Sequence, residues 1–126
     1  MEAVIILGFL LAVVVVFRAV VIVLTGKAAR WVRAVYLVCF LAAAVAAYFT
    51  TFRCIYYTNA NTRIHGWPVP VMVFQRDGPA FPWLDFVGPT VILAYPMNLI
   101  LYALLPSAAA LVLTHRSPSR THASEG

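Results

Sequence analysis

The chain has 126 residues, of which 63% are hydrophobic and 10% charged, with a formal net charge of +5. An ordinary soluble domain is about half apolar and about a quarter charged, so a water-soluble fold of this size would lack the polar surface it needs. The positive charge does not point to nucleic acid: there is one lysine, and the arginines stand singly at the ends of apolar runs rather than in a stripe.

The first apolar run is "AVIILGFLLAVVVVFRAVVIVL", Ala3 to Leu24. About 22 helical residues cross a hydrocarbon layer of roughly 30 Å. The run lacks the basic n-region, short core and small-x-small site of a signal peptide, so it is expected to be a retained membrane helix. Thr25-Gly26-Lys27 closes it, with Gly26 suited to the left-handed position after a helix end. The next run begins within a few residues, which makes the first two helices an antiparallel hairpin.

The second run is Val32 to Phe52, with Trp31 and Tyr36 at one end and Tyr48, Phe49 and Phe52 at the other. Aromatic residues at both ends suit the two interfaces of a spanning helix. Its centre puts Ala42 and Ala46 on one face, with Ala43 and Ala47 beside them, and small residues four apart let another helix approach closely. Cys39 lies deep in this segment and Cys54 just beyond its end; both read as free thiols, since fifteen helical residues separate them by about 22 Å.

Arg53 to Asp85 is a long polar-aromatic connection. It holds Tyr56, Tyr57, Trp67, Phe74, Phe81 and Trp83, too many aromatics for a disordered loop, and is expected to form a compact cap outside the membrane. "PVPVMVF" predicts an extended or edge-strand segment. "YYTNANT" is a candidate pairing strand through an Asn-rich turn, Arg76-Asp77-Gly78-Pro79 reads as a turn, and Asp85 sits where a helix-start residue belongs.

The third run is Phe86 to Leu113, with its helix starting near Gly88-Pro89. From Pro89 it spans about 25 residues, or roughly 37 Å, which calls for tilt or for kinks at Pro96 and Pro106. Tyr95, Asn98 and Tyr102 are spaced i, i+3, i+7 and share one helix face, beside the carbonyl that Pro96 frees. Such a face either binds a lipid head group or quinone-like ring, or hydrogen-bonds a neighbouring helix. The polar residues 115–126 predict a disordered tail.

The fold class is thus an all-α membrane protein, a single membrane domain over residues 1–114 with spans near 3–24, 32–52 and 89–113. An ordered loop, 53–85, with room for a β-hairpin, joins the second and third spans. Lys27, Arg30, Arg33, Arg116 and Arg120 fall on one side of three crossings, and Arg53, Arg63 and Arg76 on the other. The bias predicts an integral protein of a plasma (inner) membrane, N-terminus outside and C-terminus cytoplasmic. Arg18, with no acidic residue or histidine inside any run, is expected to snorkel toward the cytoplasmic head groups.

Catalytic motifs are missing: there is no C-x-x-C, H-E-x-x-H, G-x-S-x-G or P-loop. His65, Asp77 and Asp85 have no metal-ligand spacing, so neither metal, cofactor nor enzyme activity is expected. The expected role is a non-enzymatic accessory or scaffolding subunit. Its partners would be membrane lipids and either another membrane protein or a second copy of the chain. The alternative is an oligomeric lipid- or amphiphile-binding unit using Tyr95, Asn98 and Tyr102.

Overall fold

The computed structural model describes residues 2–86 and 90–116. Three long helices carry the apolar runs: α1 (Glu2–Leu24), α2 (Arg30–Phe52) and α3 (Thr90–Arg116). Each is long and apolar enough to cross a membrane. Between α2 and α3 the chain builds a sheet of four strands: β1 (Ile55–Asn59), β2 (Thr62–His65), β3 (Met72–Gln75) and β4 (Leu84–Phe86). The strands follow chain order, β1-β2-β3-β4, and every neighbouring pair is antiparallel.

The fold is mostly α, and the hairpin allowed for between α2 and α3 is a larger sheet whose strands pair differently from the expectation. Met72–Gln75 pairs with Thr62–His65, so of the "YYTNANT" segment only its last residue, Thr62, meets β3; Tyr56, Tyr57 and Asn59 pair with β2 instead. The local cause is Asn59, whose side-chain Oδ1 accepts the Asn61 amide at 2.8 Å and turns the chain at once. Nor is β3 an edge, since β2 and β4 flank it. Pro68 and Pro70 both precede it, so no ladder donor is lost. Asp85 lies inside β4, opposite Phe74, rather than at a helix start. The hydrogen-bonded turn after β3 runs from Gly78 to Phe81 (Phe81 N–H to Gly78 O, 3.1 Å), two residues later than 76–79. That placement puts Pro79 second in the turn, where its fixed φ is an asset.

Helix ends also shift. α2 begins at Arg30, and α3 includes His115 and Arg116, which the sequence assigns to the tail. The helix start near Gly88-Pro89 and the tail beyond Arg116 lie outside the described residues. α3 stays helical through Pro96 and Pro106.

The chain divides into two compact units: residues 1–41 with 103–126, and residues 42–102. In the first, Ala19 and Val23 of α1 pack with Ala28, Val32, Tyr36 and Ala110. Gly26, at φ 74°, makes the turn between α1 and α2 in the left-handed conformation a side chain disfavours. The Tyr36 and Ser107 hydroxyls meet at 3.1 Å, joining α2 to α3. The second unit holds the rest of α2, the sheet and the start of α3. Its buried set is mostly small or polar: Ala43, Ala47, Thr51, Val71, Ala94 and Asn98.

Candidate functional site

Asn98 is the best-defined polar centre of the second unit, and it is fully buried. Its amide is engaged three times. Oδ1 accepts the Val69 N–H at 2.9 Å, and Nδ2 donates to the Val69 carbonyl at 3.2 Å and to Thr51 Oγ1 at 2.8 Å. A carboxamide has two donor hydrogens, and both are used. The side chain therefore pairs with Val69 as one peptide group pairs with another.

The sequence around Val69 explains why it needs such a partner. In Pro68-Val69-Pro70 only Val69 has an amide hydrogen, so the segment cannot join a ladder. A buried backbone donor without a partner is costly. The same segment closes the end of α2: Trp67 N–H bonds the Thr50 carbonyl at 3.0 Å, and Gly66 N–H bonds Cys54 O at 2.9 Å. Gly66 has φ 93°, and a Cβ there would lie 2.9 Å from Val71 N and 3.0 Å from Thr51 O. "GWPVP" is a cap on α2, pinned from the other side by α3.

Tyr95 and Tyr102 stand differently. Tyr95 stacks on Phe52 with ring centroids 6.1 Å apart, and its hydroxyl lies 3.5 Å from the Ala44 carbonyl. Tyr102 is half-buried. The three residues share a face of α3, but only Asn98 is spent entirely on protein groups. On α2, Ala43 and Ala47 form the buried pair; Ala46 is half-buried and Ala42 exposed. The covered face is thus one residue around the helix from the Ala42–Ala46 pair. Ala94, Ala103 and Ala110 are buried along α3, and Ala12 and Ala19 along α1. Sequence reasoning passed over these, although small residues at helical spacing were visible in both runs.

One face of the sheet carries a cation–aromatic stack. Tyr57, Arg63 and Phe74 are successive cross-strand partners. The Arg63 guanidinium carbon lies 4.6 Å from the Phe74 ring centre and 5.0 Å from that of Trp83. Arg76 lies 4.6 Å from Trp83, and its Nη2 also donates to the Ala60 carbonyl at 2.9 Å, tying the β1–β2 turn to the end of β3. Each such contact stabilises the sheet by about 0.5–1 kcal/mol at an exposed site. The signal in the sequence was period two: Arg63 and His65, like Met72 and Phe74, alternate onto one face.

His65 packs against Phe74 with ring centres 4.8 Å apart and planes tilted by 51°, and its Nε2 has no hydrogen-bond partner among the described residues. Burial, and secondarily the positive charge of Arg63, hold its imidazole below the usual histidine range. Asp77 is exposed in the β3–β4 connection. Among the described residues no group of three His, Cys, Asp or Glu side chains could hold a metal ion. Cys39 and Cys54 are both free. No family model matches this chain, and neither a curated protein nor a solved structure does.

Proposed function

We propose that this protein is a small, non-enzymatic accessory or scaffolding subunit of a membrane assembly, with all three helices crossing the bilayer. The observation that carries the reading is how little of each helix the chain itself covers. Only 11% of the apolar window of α1 is buried, and 22% of those of α2 and α3. The buried positions are mostly small, while Ile5, Leu7, Leu10, Phe17, Leu41 and Leu105 face outward. In lipid, helices associate through close packing of small residues and through hydrogen bonds, because burying leucine gains little there. The chain uses such seams internally and leaves broad apolar faces for lipid and for a partner helix.

The sheet supports an ordered role for residues 53–86. Its backbone groups are paired in ladders and the Arg63 and Arg76 side chains lie on rings, which suits a fixed recognition surface. The charge bias of the connections argues for a plasma-membrane orientation with the C-terminus cytoplasmic.

Crosslinking in native membranes, followed by purification in mild detergent and mass spectrometry, tests the proposal. A specific crosslinked partner, or a second copy, is the expected result. A chain that is monomeric in detergent and crosslinks to nothing defeats the subunit reading.

A further inference from the structure

An open surface cavity of about 320 Å³ in the first unit is lined by the exposed Arg18 and by Ile22 of α1, and by Leu111, Thr114 and the exposed His115 of α3. Its wall is divided by chemistry. Arg18 brings a guanidinium and His115 an imidazole, while Ile22 and Leu111 are apolar. The Thr114 hydroxyl donates to the Ala110 carbonyl at 2.7 Å, so its hydrogen is already spent. The donors open to a ligand therefore come from Arg18 and His115.

Nothing described in this unit neutralises Arg18. The only carboxylate among its described residues is Glu2, sixteen residues earlier on α1 and roughly 24 Å away along the axis. The neighbouring charges are all positive: Lys27, Arg30 and Arg33 around the start of α2, and Arg116 beside His115. An unneutralised guanidinium at the edge of hydrocarbon is costly, and a bound anion offsets that cost.

We propose that this cavity holds the phosphate of an anionic phospholipid. The inference rests on the membrane-spanning reading and assigns a ligand that the subunit role does not require. Depth supports it: Arg18 lies six residues before the end of α1, about 9 Å of rise, within reach of the head-group layer for an extended side chain. Shape supports it too. The guanidinium fork matches two phosphate oxygens, and Ile22 and Leu111 suit the glycerol and first methylenes below them. The Arg18 guanidinium favours a lipid of net negative charge over a choline lipid, whose quaternary ammonium cancels the charge of its phosphate.

The test is native mass spectrometry of the full chain in mild detergent, with phosphatidylglycerol or phosphatidylcholine added. The wild type should retain phosphatidylglycerol preferentially. Arg18→Gln and His115→Gln should each weaken that retention roughly tenfold, the usual worth of one charge-assisted hydrogen bond. Lys27→Gln removes the same charge outside the cavity and should bind as wild type. If Arg18→Gln does not fold, Arg18→Lys keeps the charge without the fork and should still bind more weakly.

Unchanged binding in both cavity variants overturns the proposal, as does an equal loss in Lys27→Gln, which would mean diffuse surface charge. Displacement of the lipid by inorganic phosphate would reassign the cavity to a free anion. Loss of a protein partner from Arg18→Gln, with lipid binding intact, would reassign it to a partner's carboxylate. Carbonate extraction separates the two levels of inference. A chain that washes off defeats the membrane-spanning reading itself, whereas one that stays and binds no phosphatidylglycerol defeats only this site.

Discussion

The two units each tie α2 to α3 with a buried polar contact, but the contacts differ in kind. In residues 42–102, one Asn98 amide satisfies three groups: the Val69 N–H, the Val69 carbonyl and the Thr51 hydroxyl. In residues 1–41 with 103–126, two hydroxyls, Tyr36 and Ser107, meet once at 3.1 Å. A hydroxyl can rotate to another acceptor, and serine in a helix can bond the carbonyl one turn back. A backbone amide wedged between two prolines has no such alternative. The first kind of contact locks a segment in place, whereas the second only adds to helix packing.

Four experiments break or sharpen this contrast. Asn98→Leu leaves the buried Thr51 hydroxyl and both half-buried Val69 backbone groups without this partner and should cost roughly 2–4 kcal/mol. Hydrogen exchange should show protection lost over residues 66–75 while α1 keeps its own. Equal loss in both places would mean the two contacts do the same job. Gly66→Ala comes next, at about 1–3 kcal/mol, because the new methyl meets backbone on a φ that L-residues avoid. Denaturant titration in mixed micelles measures it, and wild-type stability would show that the cap tolerates a shift. Tyr36→Phe removes the single hydroxyl contact and should cost no more than about 0.6–1.7 kcal/mol, the range for such bonds in a bilayer. A loss as large as that of Asn98→Leu would erase the distinction.

The smallest effect is the pH dependence of the sheet. The folded-state pKa of His65 lies below its ordinary value of 6.5. The unfolded chain therefore binds the proton more readily, and its contribution to stability is complete above about pH 6.5. It is lost as pH falls from there through the lowered folded pKa, and is constant below that. Melting of the sheet at pH 5 and pH 7.5 should differ slightly in the wild type and less in His65→Gln. A greater stability at pH 5 would contradict the placement of His65.

Much of the helical framework was legible in the sequence because a hydrocarbon layer demands long, uninterrupted apolar runs, and composition alone reveals them. Gly26 was legible for a local reason, as a helix end followed at once by a new helix. Asn98 stood out as the lone carboxamide in an apolar run, but its partners did not. Val69 is 29 residues away, and no periodicity links it to α3. The sheet was read only as a possible hairpin because its strands are three to five residues long and interrupted by prolines, so alternation had little length in which to appear. That Ala43 and Ala47, rather than Ala42 and Ala46, are the pair the chain itself buries was not legible, since one step around a helix of alanines cannot be told from composition. The Arg18 cavity was invisible because its walls come from two helices that are far apart in the sequence.

The Asn98–Val69 pairing also sets an order of events during biogenesis. Val69 is synthesised before α3, while Asn98 arrives later inside a hydrophobic helix. A lone carboxamide partitions poorly into oil until its hydrogen-bonding groups are met. The Asn98 amide is therefore satisfied only once the segment holding Val69 has folded against α3, so the connection between α2 and α3 has to take shape before that helix is fully seated.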